Sequence, residues 1–215
     1  MRQRDAERSR QEILAAAEAE FAEKGFFGAR VDEIAQSAEI NKRMLYAYFG
    51  DKEALYKQVL FRVYGRMEAV ERQLVTAGYA GKELIRQIIG TYFDFLQSNP
   101  TFVSILMWEN LNRGQYLREL EGERIERPTI RYFVDALDRG RQDGTFRPDI
   151  DPWHTALSMI TTCFANFSNQ YTLSKLFGTD LTTEEIIAQR KAHTTQLMLA
   201  YLCKEDYSYE EHPME

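Results

Sequence analysis

Residues Val31 to Phe49, VDEIAQSAEINKRMLYAYF, carry two apolar faces too short to stand alone. In the first half Val31, Ile34, Ala35 and Ala38 recur at i, i+3, i+4 and i+7, the spacing of an amphipathic helix. The pattern breaks at Glu39 and Ile40. Asn41 is then placed to cap a second helix by accepting a hydrogen bond from one of its orphan backbone N–H groups, and Leu45, Tyr48 and Phe49 give that helix a buried side. Helices this short are marginal in water. The pair therefore demands a third helix to pack on, the arrangement of a helix-turn-helix unit. The preceding segment supplies it: Ile13, Leu14, Ala17 and Phe21 mark a helix from Ser9 to Lys24 with one buried face, ended by Gly25 as its C-cap.

The second helix has its cations at the unfavourable end. Lys42 and Arg43 fall in its first turn, beside the positive pole of the helix dipole, where an exposed cation costs ~0.3–1 kcal/mol. An anionic partner reverses that sign. Nucleic-acid phosphates are such a partner, and the N-terminal residues of the second helix are those that reach base edges in the major groove. The competing reading is a solvated basic turn whose long side chains swing clear of the dipole. Bulk charge does not favour DNA: the formal net charge is −6, and residues 1–60 hold ten Lys or Arg against eleven Asp or Glu. The case rests on where the cations point.

The segment from Ser9 to Leu60 resembles the DNA-binding domain of the TetR family of transcriptional repressors. The matching features are FAEKGF from Phe21 to Phe26, the Ile34-Ala35 pair, Ala38, LYAYF from Leu45 to Phe49, and Lys52, Glu53 and Leu55 opening the next helix. Two departures stand out: Glu39 where the family usually has Gly, and Arg30 where it usually has a hydroxyl cap. The resemblance implies a double-stranded DNA operator as partner. It places Lys42, Arg43 and Met44 at base edges or adjacent phosphates, Tyr46 and Tyr48 on backbone or thymine methyl groups, and Arg30 and Lys52 on phosphates. It also implies a homodimer in which the last two helices pair with their copies as a four-helix bundle. Arg2, Arg4 and Arg8 extend the basic character toward the N-terminus, where a frayed end is the simpler reading.

The remainder has helical period throughout and no alternating strand pattern. Gly50 closes the second helix, Asp51 caps a long helix to about Thr76, and an apolar helix carries Leu84 to Leu96. Asn99 and Pro100 cap and open a helix to Leu111. Another spans about Leu117 to Gly140 with an interruption at Pro128, and Asp143 to Pro152 form a loop. Asp151 and Pro152 start a helix to about Phe177. After a turn at Gly178 a last helix runs from Thr182 or Thr183 to Cys203, and the acidic tail from Lys204 to Glu215 reads as disordered. The expected organisation is all-α: a helix-turn-helix domain at 1–51, a ligand-binding and dimerisation domain at 52–203, and a tail at 204–215.

No catalytic constellation appears. Three histidines, His154, His193 and His212, lack metal-ligand spacing, so no metal or other cofactor is expected. Cys163 and Cys203 form neither a CxxC nor a disulfide framework, and no apolar run approaches a membrane span, which together read as a cytoplasmic protein. The body is better suited to hold a small-molecule effector. Tyr92, Phe95, Phe102, Leu106, Trp108, Phe164 and Phe167 are candidates for an apolar cavity, with Glu109, Asn110, Asn112, Arg113 and Asn166 as orienting polar groups. Glu109 points to a cationic or hydroxylated guest and Arg113 to an anionic one. The leading expectation is a homodimeric repressor released from a palindromic operator by that effector. The alternative is an all-helical binding protein or enzyme without DNA binding, and an activator of the same fold fits the same residues.

Overall fold

The computed structural model describes residues 2–120 and 128–203. Among them are eleven helices and no strand. In order these are α1 (Arg2–Gly28), α2 (Val31–Ser37), α3 (Lys42–Phe49), α4 (Lys52–Ala77), α5 (Gly81–Ser98) and α6 (Pro100–Leu111). There follow α7 (Gln115–Glu119), α8 (Pro128–Gln142), α9 (Pro152–Ser168), α10 (Gln170–Phe177) and α11 (Glu184–Cys203). No helix among the described residues is long and apolar enough to cross a membrane. Packing divides the chain into two units, Met1–Val70 with Phe95–Glu126, and Glu71–Asp94 with Arg127–Glu215. The first unit thus keeps about five turns of α4 with the helix-turn-helix.

In the first unit the periodic apolar positions converge. Ile13, Ala17 and Phe21 of α1, Ile34 of α2, Leu45 of α3, and Leu55, Tyr56 and Val59 of α4 are all fully buried. Each large aliphatic or aromatic side chain so removed from water contributes about 1.5–3 kcal/mol, which is what lets two short helices persist. Helix α6 packs on α1, burying Phe102, Val103 and Ile105. Two carboxylates pin the helices from inside. Glu18, 6% exposed, accepts from both Nη atoms of Arg66 at 2.8 and 2.6 Å and from the Thr101 hydroxyl at 2.5 Å, and forms an ion pair with Arg62 Nε at 3.2 Å. Burial raises its pKa, but the bonds from Arg66 and Thr101 and the two guanidinium charges outweigh burial and hold it below the ordinary carboxylate range. Glu109, 1% exposed, accepts from the Tyr56 hydroxyl at 2.9 Å and the Leu117 N–H at 3.2 Å, joining α4, α6 and α7.

Helix α1 does not stop at Gly25. That residue takes φ 67, ψ 177, a conformation that only glycine adopts readily, and the chain bends there and continues one turn to Gly28. The bend also brings the backbone onto the Trp108 ring, where a Cβ at Gly25 would lie 2.7 Å from Trp108 Cδ2. The Trp108 indole N–H donates to the Ala22 carbonyl at 3.2 Å.

In the second unit Leu84, Ile85, Ile88, Ile89 and Phe93 of α5 share a core with Phe133 and Leu137 of α8, Met159, Cys163 and Phe167 of α9, and Met198 and Leu202 of α11. Burial pushes the Cys163 thiol up to about 12, which leaves it inert at neutral pH. Two expectations are corrected and a third is met. Asn99 makes no side-chain cap for α6; its Nδ2 donates back to the Phe95 carbonyl at 2.8 Å and so closes α5. The interruption expected at Pro128 is present: α7 ends at Glu119 and α8 opens at Pro128, which lacks the N–H a continuing helix would need. The helix expected from Pro152 to Phe177 breaks at Asn169, whose φ −111, ψ 7 leave the helical region and whose amide bonds back to the Ala165 carbonyl. The tail from Lys204 lies outside the described residues.

Candidate nucleic-acid interface and ligand cleft

Three backbone bonds shape the turn between α2 and α3: Ala38 N–H to Ile34 O at 3.0 Å, Glu39 N–H to Gln36 O at 3.1 Å and Ile40 N–H to Ala35 O at 3.0 Å. Glu39 closes the turn in the left-handed conformation, φ 54, which explains why glycine suits this position better. Asn41 caps α3 as expected, its side chain accepting from Met44 N–H at 2.8 Å. Burial of Leu45 and Phe49 then fixes the roll of α3 and leaves Lys42, Arg43 and Tyr46 exposed.

The cations expected to meet DNA are in different electrostatic states. Arg43 makes no hydrogen bond or ion pair with any described residue. Lys42 pairs with Asp32 of α2 at 2.9 Å, and chiefly that hydrogen bond raises its pKa. Both partners are exposed, so the pair is weak and readily exchanged for another anion. Arg30 stands at the N-cap of α2 without a side-chain cap bond, its backbone N–H held by Glu20 at 3.0 Å and its guanidinium exposed. Lys52 is turned inward: its ammonium donates to the Ala29 carbonyl at 2.6 Å and lies 4.9 Å from the centre of the Phe26 ring, and burial lowers its pKa. It clamps the α1–α2 junction to the start of α4. Met44 is half-buried, facing Arg8, Ser9 and Ser37 along a shallow cleft, and Tyr48 lines a groove with Arg10, Lys57 and Glu119.

The residues proposed from sequence for an effector fall in both units. In the first, Phe95 and Phe102 pack edge to face at 5.1 Å in the core, Leu106 is half-buried, and Trp108 and Glu109 spend their polar atoms on internal bonds. Asn110 donates to the Leu106 carbonyl at 2.9 Å, Asn112 is the C-cap of α6, and Arg113 is an exposed turn residue at φ 58. In the second, Tyr92 donates to the buried Glu71 carboxylate at 2.7 Å and Phe164 is half-buried. Asn166 and Phe167 alone of this set line a cleft of about 520 Å³ bounded by α5, α9, α10 and α11. Arg190, which no sequence pattern singles out, also lines it. The volume falls in the range of small-molecule sites. No group of three or more His, Cys, Asp or Glu able to hold a metal occurs among the described residues.

Residues 13–59 match the family described as bacterial regulatory proteins, tetR family, and residues 82–198 match the tetracyclin repressor-like C-terminal domain. The chain is 33% identical over 205 residues to the HTH-type transcriptional repressor NicS of Pseudomonas putida, covering 93% of this chain and 94% of that one. Among solved structures it is similar to the transcriptional regulator FadR from Bacillus subtilis in complex with stearoyl-CoA, with a TM-score of 0.67, 19% identity, and 89% and 98% of the two chains covered. It is likewise similar to the ketosteroid transcriptional regulator KstR2 of Mycobacterium tuberculosis, with a TM-score of 0.67, 22% identity, and 91% and 95% covered. At these identities the structural likeness is one of fold. With a DNA-reading helix pair at its start, a helical body behind it, and a relative alike over nearly its whole length, the chain belongs to the tetR family of bacterial regulatory proteins.

Proposed function

We propose that this regulator represses transcription by gripping a short palindromic operator as a homodimer, and lets go when a small molecule occupies the cleft of the second unit. One observation carries the reading: α3 is anchored by Leu45 and Phe49 so that Arg43 stands in solvent, at a helix start, with no counter-ion among the described residues. Lys42 and Tyr46 share that exposed surface, Arg30 adds a cation at the start of α2, and the relative NicS is named a repressor.

A single α3 contacts only a few base pairs, whereas a twofold pair reads two half-sites ~34–36 Å apart. The exposed apolar residues Trp153 and Leu157 on α9, and Leu197 and Tyr201 on α11, support a seam between copies through these helices. Ligand then acts by population shift, favouring a form in which α4 holds the two readers at the wrong spacing. The test is fluorescence anisotropy with DNA from upstream of the chain's own gene. Binding that weakens steeply with salt, and a loss of about tenfold or more in the Lys42→Ala, Arg43→Ala double variant, support the reading. A smaller loss refutes it.

A further inference from the structure

The cleft of the second unit has apolar walls, among them Phe93, Phe167, Leu173 and Ile187, and one cation, Arg190. Its guanidinium uses a single donor: Nε donates to Asn166 Oδ1 at 2.9 Å, while the Asn166 amide donates to the Thr162 carbonyl at 2.7 Å. The side chain is therefore held in place by a neutral group. No Asp or Glu among the described residues lines the cleft, and the acid beside it on α5, Asp94, is taken by Lys191 at 2.5 Å. Arg190 makes no ion pair with any described residue, which leaves both Nη groups uncommitted at the edge of an apolar space. A planar fork of two N–H donors fits a carboxylate bidentately, and in apolar surroundings that pairing is stronger than in water.

The floor is firm enough to select a shape. Ser174 Oγ accepts from Leu181 N–H at 2.9 Å and donates to the Gln170 carbonyl at 2.6 Å, and Asp180 accepts from Thr182 N–H at 2.9 Å, so the α10–α11 connection is tied to α10 and to itself. We infer that this cleft binds a small apolar carboxylate, with Arg190 pairing the carboxylate and Asn166 holding Arg190 in position. The inference rests on the effector reading above and gives its ligand a charge, which the sequence left open between Glu109 and Arg113.

The test is calorimetry on the full chain with three compounds of one body and different heads: 3-phenylpropionate, 3-phenylpropanol and 3-phenylpropylamine. The carboxylate is expected to bind at least about tenfold more tightly than the other two. Arg190→Gln removes that preference. Asn166→Asp, nearly isosteric, supplies an internal carboxylate to Arg190 and abolishes carboxylate binding while leaving the thermal midpoint unchanged or raised. Equal affinity for the alcohol, a preference that survives Arg190→Gln, or no binding by ~1 mM overturns the inference. So does an Arg190→Gln variant that loses its oligomeric state, which would assign the guanidinium to a second copy. Because binding is read without DNA, failure of operator binding strikes the repressor reading and leaves the cleft standing. Carboxylate binding without operator release removes only the effector role.

Discussion

Replacing Gly25 by Ala strikes the junction between the first helix and the reader, and its cost has two separable parts. At φ 67, ψ 177 the backbone sits in a region nearly reserved for glycine, and an L side chain there costs about 1–3 kcal/mol. The new methyl would also lie 2.7 and 2.8 Å from Cδ2 and Cε3 of Trp108, whose indole is held by the Ala22 carbonyl, and overpacking of that kind costs about 1–3 kcal/mol more. Restricting the unfolded chain returns about 0.4–1 kcal/mol. The net loss is about 1–5.6 kcal/mol, read as a lower urea midpoint by far-UV circular dichroism. Trp108→Leu separates the parts: without the ring the backbone part alone remains, so the double-mutant cycle shows a coupling of about 1–3 kcal/mol. A cost below about 1 kcal/mol for Gly25→Ala, or the same cost with and without the ring, refutes the reasoning.

Glu39→Gly relieves a left-handed residue costing about 1–2 kcal/mol and costs about 0.5–1 kcal/mol in chain entropy, a net gain of about 0–1.5 kcal/mol that raises the urea midpoint with the slope unchanged; a lower midpoint contradicts this. Glu109→Gln keeps one acceptor oxygen where two are used, by Tyr56 and Leu117, so one buried donor is stranded at about 1–3 kcal/mol and the thermal midpoint falls about 2–4 °C for each kcal/mol. If that variant instead keeps its stability and changes ligand affinity, Glu109 belongs to the effector site. The carboxyl of Glu18 is depressed in the folded state, so its stabilisation is complete above the unfolded value near ~4.3 and is lost as pH falls through the lower folded value. Urea midpoints measured down a pH series should therefore drop less steeply in Glu18→Gln, and parallel curves would count against the network.

Where a local rule had no competitor, the sequence was a sufficient guide. Asn41, Asp51 and Asp151 each stand before an apolar-periodic run and do cap α3, α4 and α9, accepting from the N–H groups of Met44, Ala54 and His154. Asn99 occupies an equivalent place before α6, but the last turn of α5 is one residue behind it, and the open Phe95 carbonyl wins its amide. Gly25 marks a bend where the sequence suggests a helix end, and its full role depends on Trp108, more than eighty residues later, which closes on the bare backbone. Arg190 carries no signal in the sequence, because one arginine on a mixed helix looks like any solvated cation; only the fold places Asn166 and the apolar walls around it.

The same distinction governs the cations at the helix starts. Lys42, Arg43 and Lys52 look alike in sequence, each facing an unfavourable dipole, yet the fold settles the three differently. Lys52 finds a carbonyl and an aromatic face within its own unit and becomes part of the scaffold. Lys42 finds Asp32, an exposed partner it can exchange for a phosphate at little cost. Arg43 finds no partner among the described residues. A cation's readiness for DNA thus follows from what α1 and α2 leave unsatisfied around it, and position in the helix alone does not determine it. The operator reading therefore rests on Arg43 first, on Lys42 through exchange, and on Lys52 only through the geometry it enforces on the helices that present the other two.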